Sequence, residues 1–233
     1  MRVLLVAFVA FLLAGTAGAA GEPVTILVKP QFNAPAAAAT TSRVTFQIVS
    51  SVTLDPGRST TAPQPPGLRL EGPDGATRHV VVSPGRYAFD FRNYAWPPRI
   101  VPGDREFVYE QVVWAKEAGP GILYVETAHL TYAKSSYGLN AYLNAIDLKT
   151  KKLRWRSPAL VANADNFVLL GDMIVSGYGF TDEPDYLYAV DRANGKVVGR
   201  VLLPTGPERI VRHGNVLTVD TYDHRLTIRV VER

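Results

Sequence analysis

Cysteine is missing from all 233 residues, which excludes disulfide staples, thiolate metal sites and thiol redox chemistry, and leaves no cysteine for a lipid anchor. Charge of one sign is also scarce. The 25 basic and 21 acidic side chains give a net of only +4, whereas a nucleic-acid surface needs a broad basic patch interleaved with aromatics. The one dense basic run, KTKKLRWR at 149–156, reads as a solvated turn and edge strand. No Gly-x-Ser-x-Gly elbow, His-Glu-x-x-His pair or phosphate-binding glycine loop is present, so hydrolase and nucleotide chemistry have no motif to stand on. From residue 105 onward no run reads as a helix.

What the chain does contain begins with an export signal. Arg2, the apolar run VLLVAFVAFLLA and the small residues Ala17, Gly18 and Ala19 form the three regions of a signal peptide. The apolar run is well short of the roughly 20 residues that span a bilayer. Residues 1–19 are therefore expected to be a cleaved leader, delivering a periplasmic or secreted protein with no membrane span after its removal.

The remaining chain divides into a β-rich segment, 20–104, and a repeating region, 105–233. The first holds the loop-like tracts APAAAATTS and TAPQPPG, with strand-like runs PVTILVK, VTFQIVSSV, LRLEGPDGATRHVVV and RYAFDF around them. In the last of these Tyr87, Phe89 and Phe91 share one face by the two-residue period. They are a core face by default and a sugar-stacking platform by the alternative reading.

In the second region YLNAIDLKTKKLRW returns as YLYAVDRANGKVVGR, and FVLLGDMIVSG as IVRHGNVLTVD. The period is about 44 residues, with some four short strands per unit, the signature of propeller blades that bury their faces by stacking. Asn194-Gly195 suits a tight turn with Asp191 accepting its backbone N–H groups. Lys151 takes the glycine's place in the earlier copy, so a looser turn or one of another type is expected there. The expected fold is all-β, with about three four-stranded antiparallel propeller-type blades behind an N-terminal sandwich-like or degenerate-blade segment.

The pattern Ala145-x-Asp147-x-x-Thr150-Lys151-x-x-x-Trp155 resembles the tryptophan-docking repeat of pyrroloquinoline-quinone-like β-propellers. The second copy keeps Ala189, Asp191 and Gly195 but has Gly199 at the tryptophan position. The resemblance implies structural roles for Ala145, Asp147, Trp155, Ala189, Asp191 and Gly195, with the tryptophan packed between neighbouring blades; Trp114 is a second candidate for that part. The family's dehydrogenases imply a calcium shell and an aspartate base whose positions find no counterpart here. Its non-catalytic, BamB-like envelope branch is the nearer likeness.

Three units of this size fall short of a usual ring. The front segment could supply degenerate blades, with PVTILVK completing a last unit that ends one strand early. It could form its own small sandwich, which the hairpin VSPGRYAFDF favours. The units could also form an open array that pairs with another chain.

Candidate sites follow from the loops. YAKSSYGLNAY and GYGFTDEPDY occupy equivalent places and carry Tyr132, Tyr137, Tyr178 and Phe180, aromatics that either recognise a ligand or cap the blade edges. Asp182, Glu183 and Asp185 could hold calcium, and Asp220, Asp223 and His224 with His213 could form a metal or acid–base site. The first group lacks the spacing of an EF-hand loop, and alternating positions on a hairpin send the second group to opposite faces, so the expectation is no metal and no cofactor. The sequence points to a non-catalytic binding or scaffolding protein of the cell envelope with protein partners. The alternatives are a quinone- and calcium-dependent dehydrogenase or a glycan-binding module.

Overall fold

The computed structural model describes residues 42–55 and 111–233, apart from positions 120, 129–131, 135, 137 and 181, together with the backbone of four short strands within 24–90. Among the described residues every regular element is a strand. The front of the chain supplies β1 (Val24–Leu27), β2 (Val44–Thr53), β3 (Arg69–Glu71), β4 (His79–Val82) and β5 (Tyr87–Asp90). The repeating region supplies β6 (Gln111–Glu117), β7 (Ile122–Ala128), β8 (Tyr142–Asp147), β9 (Lys152–Arg156), β10 (Val168–Leu170), β11 (Met173–Tyr178), β12 (Tyr186–Asp191), β13 (Val197–Leu202), β14 (Pro207–His213), β15 (Val216–Thr221) and β16 (His224–Glu232).

These strands form four sheets of four: β1-β5-β4-β3, β6-β7-β8-β9, β10-β11-β12-β13 and β14-β15-β16-β2. The last three are antiparallel throughout and are propeller-type blades, here called the first, second and third blade. The first two are simple meanders, in which short turns alternate with the longer loops from β7 to β8 and from β11 to β12. Their sequence repeat is also a repeat of detail. The register shifts immediately after Ala145 in one blade and after Ala189 in the other, leaving Ala145 opposite Trp155 and Ala189 opposite Gly199.

The turn after each of these alanines corrects one expectation. Asp147 accepts the N–H groups of Lys149 and Thr150 at 3.0 and 2.8 Å, and Asp191 that of Ala193 at 2.8 Å. Each turn then ends on a left-handed residue, Gly195 at φ 75° and Lys151 at φ 58°. The lysine turn is thus the same kind of turn, held by its aspartate and the flanking ladder against the steric cost of a Cβ at positive φ. Replacing Lys151 with glycine is expected to raise stability by about 1 kcal/mol in urea unfolding; an unchanged or lower midpoint would show that the lysine is unstrained.

The third blade does end one strand early, and the strand that completes it is β2 rather than the run containing β1. Strand β1 instead pairs in parallel with β5, from Val24↔Tyr87 to Leu27↔Asp90. Strand β2 lies antiparallel to β16 from Val44↔Glu232 to Thr53↔His224. The alternation selects it: Val44 and Phe46 are buried on the face that carries Ile228 and Val230, so a one-residue slip would turn this apolar pair outward.

Stacking buries the faces between blades. Tyr124, Leu143, Ala145 and Trp155 of the first blade meet Ile174, Tyr188 and Val190 of the second. Met173, Val175, Leu187 and Val198 of the second meet Leu217, Val219, Leu226, Ile228 and the closing Val44 and Phe46. The opposite face of the third blade mixes Arg209, His213, Thr218, Arg225 and Arg229 with Val211 and Val216.

In the front sheet β3 and β4 form the expected hairpin, Arg69↔Val81 to Glu71↔His79. Tyr87 and Phe89 occupy alternate positions of β5, and Phe91 lies outside the described residues.

Candidate functional site

The repeat residues lie at the joints between blades. Trp155 is 9% exposed and packs on the turn of the second blade, where a Cβ on Gly195 would come within 2.5 Å of its ring. Its indole N–H donates to the Arg192 carbonyl at 3.0 Å, and its ring centroid lies 5.8 Å from that of Tyr124. One side chain therefore fastens the outer edge of the first blade to the next hairpin. Gly195 is required twice, for its backbone and for the indole that occupies its side-chain space.

The joint between the second and third blades is made differently. A Cβ on Gly199 would sit 2.9 Å from the Val44 carbonyl, so the entering strand β2 occupies the place where a tryptophan would go. The Arg43 N–H donates to the Val198 carbonyl at 2.8 Å. Its guanidinium reaches Asp191 and Asp172, each at 2.5 Å. Asp191 thus serves its own turn with one oxygen and the closing strand with the other, whereas Asp147 serves its turn. Sequence reasoning missed Arg43 and Asp172, because the Arg43–Asp191 pair spans 148 positions and no local pattern announces it.

Trp114 is half-buried on β6, opposite Glu126 of β7. Its indole N–H and both oxygens of the fully buried Glu126 have no hydrogen-bond partner among the described residues. Burial, with Asp165 adding to it, raises the Glu126 carboxyl well above its ordinary range.

The loops gather at one end of the blades. Tyr132, 42% exposed, comes from the first blade and lies 5.4 Å centroid to centroid from Phe180 of the second. Tyr178 meets Phe180 edge-on at 6.1 Å but is buried, and its hydroxyl donates to Glu183. The other Glu183 oxygen accepts the Ala133 N–H. Tyr178 is therefore a support for the loop, while Tyr132 and Phe180 present aromatic surface at it. Tyr137 lies outside the described residues.

Two clefts flank the loop between β11 and β12. The smaller, about 310 Å³, is lined by Lys134, Leu160, Tyr178, Glu183 and Tyr186 among others. The larger, about 470 Å³, lies between the second and third blades and is lined by Phe180, Asp185, Pro204, Thr205, Gly206, Pro207, Glu208 and Tyr222. The Asp185 carboxylate presses on Gly179, where a Cβ would overlap it. Desolvation pushes this carboxyl up to about 6, partly opposed by the Phe180 N–H that it accepts and assisted by nearby Glu183.

The polar groups behind this cleft are tied to one another. Thr205 donates to Asp223 at 2.5 Å and lies 2.7 Å from the Thr221 hydroxyl, and His224 Nδ1 lies 2.5 Å from the same Asp223 oxygen. The carboxylate stands between hydroxyl and imidazole, so the histidine cannot take the threonine proton directly, as a nucleophile's base must. Hydrogen bonds from Thr205 and then His224 lower the Asp223 carboxyl. Asp220 is held apart by Arg225, at 2.5 and 2.9 Å. Neither these groups with His213 nor Asp182, Glu183 and Asp185 converge: among the described residues no three such side chains are placed to hold a metal ion.

No protein-family model and no curated protein matches this chain. Among solved structures it is similar to BamB from Moraxella catarrhalis, at 11% identity and a TM-score of 0.28, over 50% of this chain and 42% of that one. The chain thus spans less than half the length of that protein. Among the described residues no helix is long and apolar enough to cross a membrane.

Proposed function

We propose that this protein is exported to the cell envelope and acts there as a non-catalytic binding or scaffolding protein with protein partners. One observation carries the reading: three stacked blades hold a shared loop end on which Tyr132 and Phe180, from different blades, form an aromatic surface between two clefts. Rigid elements presenting aromatic loops are the usual build of a recognition surface. The supporting groups are spent on internal hydrogen bonds, Glu183 on Tyr178 and Ala133 and Asp223 on Thr205 and His224. They fix the loops rather than offer free acid–base partners. The tryptophan joint of the family resembled above, with Trp155 docked between blades over Ala145 and on Gly195, is the device we assign to that rigidity.

The test is photo-crosslinking in cells that export the full chain, with a benzophenone amino acid at Tyr132 or Phe180 and, as a control, at Lys152 on the outer edge of the first blade. Discrete adducts with envelope proteins at the loop positions and none at Lys152 are expected. Retention of the protein in the cytoplasm, or identical adduct patterns at all three positions, would overturn the reading.

A further inference from the structure

The larger cleft differs in charge from the chain around it. The protein is net basic, at +4, yet among the residues that line this cleft Asp185 and Glu208 are the charged ones, and both are carboxylates. The smaller cleft on the other side of the same loop carries Lys134 beside Glu183. Of the two clefts, the one between the second and third blades is thus the anionic one.

The walls suit a delocalised cation. Phe180 comes from the loop between β11 and β12, and Tyr222, 58% exposed, from the turn between β15 and β16. Aromatic faces beside carboxylates attract a planar guanidinium both electrostatically and by stacking. Pro204 and Pro207 add stiff apolar surface. The backbone is braced as well, since Leu203 N–H donates to the Asp185 carbonyl at 2.8 Å and Tyr222 N–H to the Gly206 carbonyl at 3.0 Å. One oxygen of Asp185 is buried with no hydrogen-bond partner among the described residues. That oxygen is sealed against Gly179, so Asp185 acts on the cleft through its charge.

The volume sets the size of the occupant. At about 470 Å³ the cleft exceeds one arginine side chain and has room for flanking backbone, within the usual range for ligand sites. From this we infer that the cleft between the second and third blades binds an arginine side chain presented on an extended peptide segment of a partner protein. The guanidinium would lie against Tyr222 and Phe180 with Asp185 and Glu208 as its counter-charges. The inference rests on the binding-protein reading and names the chemistry of one of its sites.

Amide-resolved NMR titration of the mature chain with acetyl-Ser-Arg-Ser-amide tests it, with the citrulline peptide as a neutral isostere, acetyl-Ser-Lys-Ser-amide, and putrescine and calcium chloride as further arms. Saturable shifts confined to residues 179, 180, 185, 204–208 and 222 are expected, at least tenfold weaker with citrulline. Asp185→Asn keeps an acceptor for the Phe180 N–H, and Tyr222→Ala alters an exposed side chain; each should weaken the arginine peptide five- to tenfold while the remaining spectrum keeps its native pattern. Equal binding of the citrulline peptide, tighter binding of putrescine or calcium than of the arginine peptide, or shifts scattered over the surface would each overturn the assignment. Failure of the peptide with the Phe180 crosslinks intact removes the arginine site alone. Peptide binding without crosslinks removes the envelope partner and leaves the cleft chemistry standing.

Discussion

Replacing Trp155 with alanine is expected to destabilise the protein by about 3–5 kcal/mol, the range for removing a buried large aromatic. The loss has three parts. The indole leaves a void on Gly195, whose missing side chain is the space that the ring fills. Its contact with Tyr124 disappears, and the Arg192 carbonyl loses its 3.0 Å donor. Because the residue bridges two blades, the deficit should be local as well as global: hydrogen exchange should speed up at Arg192–Gly195 and along β9 more than within β15. Trp155→Phe keeps much of the packing and loses the indole bond, so it should fall between wild type and alanine. A loss below about 1 kcal/mol for alanine would show that the blades are held together elsewhere.

The second large effect has the opposite sign. Glu126 is fully buried, both its oxygens lack partners among the described residues, and Asp165 repels its charge. Its folded carboxyl therefore titrates well above the unfolded one, and the folded state holds a proton that the unfolded state releases once pH rises past about 4.5. This contribution is fully present below the unfolded value and is lost as pH rises towards the folded one. Glu126→Gln, which keeps the shape without the ionisation, should match wild type near pH 4 and be clearly more stable than it near pH 7.5. Urea unfolding at the two pH values reads the difference directly. A glutamine variant that is less stable at both would mean that the carboxylate is ionised and matched in the folded protein.

The hairpins were legible because their causes are local. A period of about 44 residues, an aspartate ahead of each turn and Asn194-Gly195 determine where strands end, and the structure places blades at those positions. Lys151 misled because composition alone suggests a different turn where glycine is missing, whereas neighbouring hydrogen bonds hold lysine at positive φ. The closing strand was legible only as a vacancy. Nothing near Val44–Thr53 distinguishes it from other β-branched runs, and only the face offered by β16 selects it.

The site was less readable for the same reason. Tyr132 and Tyr178 look equivalent in the repeat, but Glu183 draws the second into the interior and leaves the first at the surface. Asp185 and Tyr222 lie in different units, and the cleft that joins them exists only after stacking. Glu126 falls in a run where alternation alone gives no reason to expect a buried carboxylate; the second blade supplies the burial.

The pairing of β2 with β16 also has a kinetic meaning. Ribosomes release the amino-terminal partner long before the carboxy-terminal one, so a nascent chain must carry β2 without its mate until β16 has been made. Contacts joining Val44 to Glu232 raise the contact order of the whole molecule, and such long-range closure is slow and open to misassembly while it waits. The seam between β2 and β16 is therefore expected to form late in folding, after the hairpins whose contacts are local.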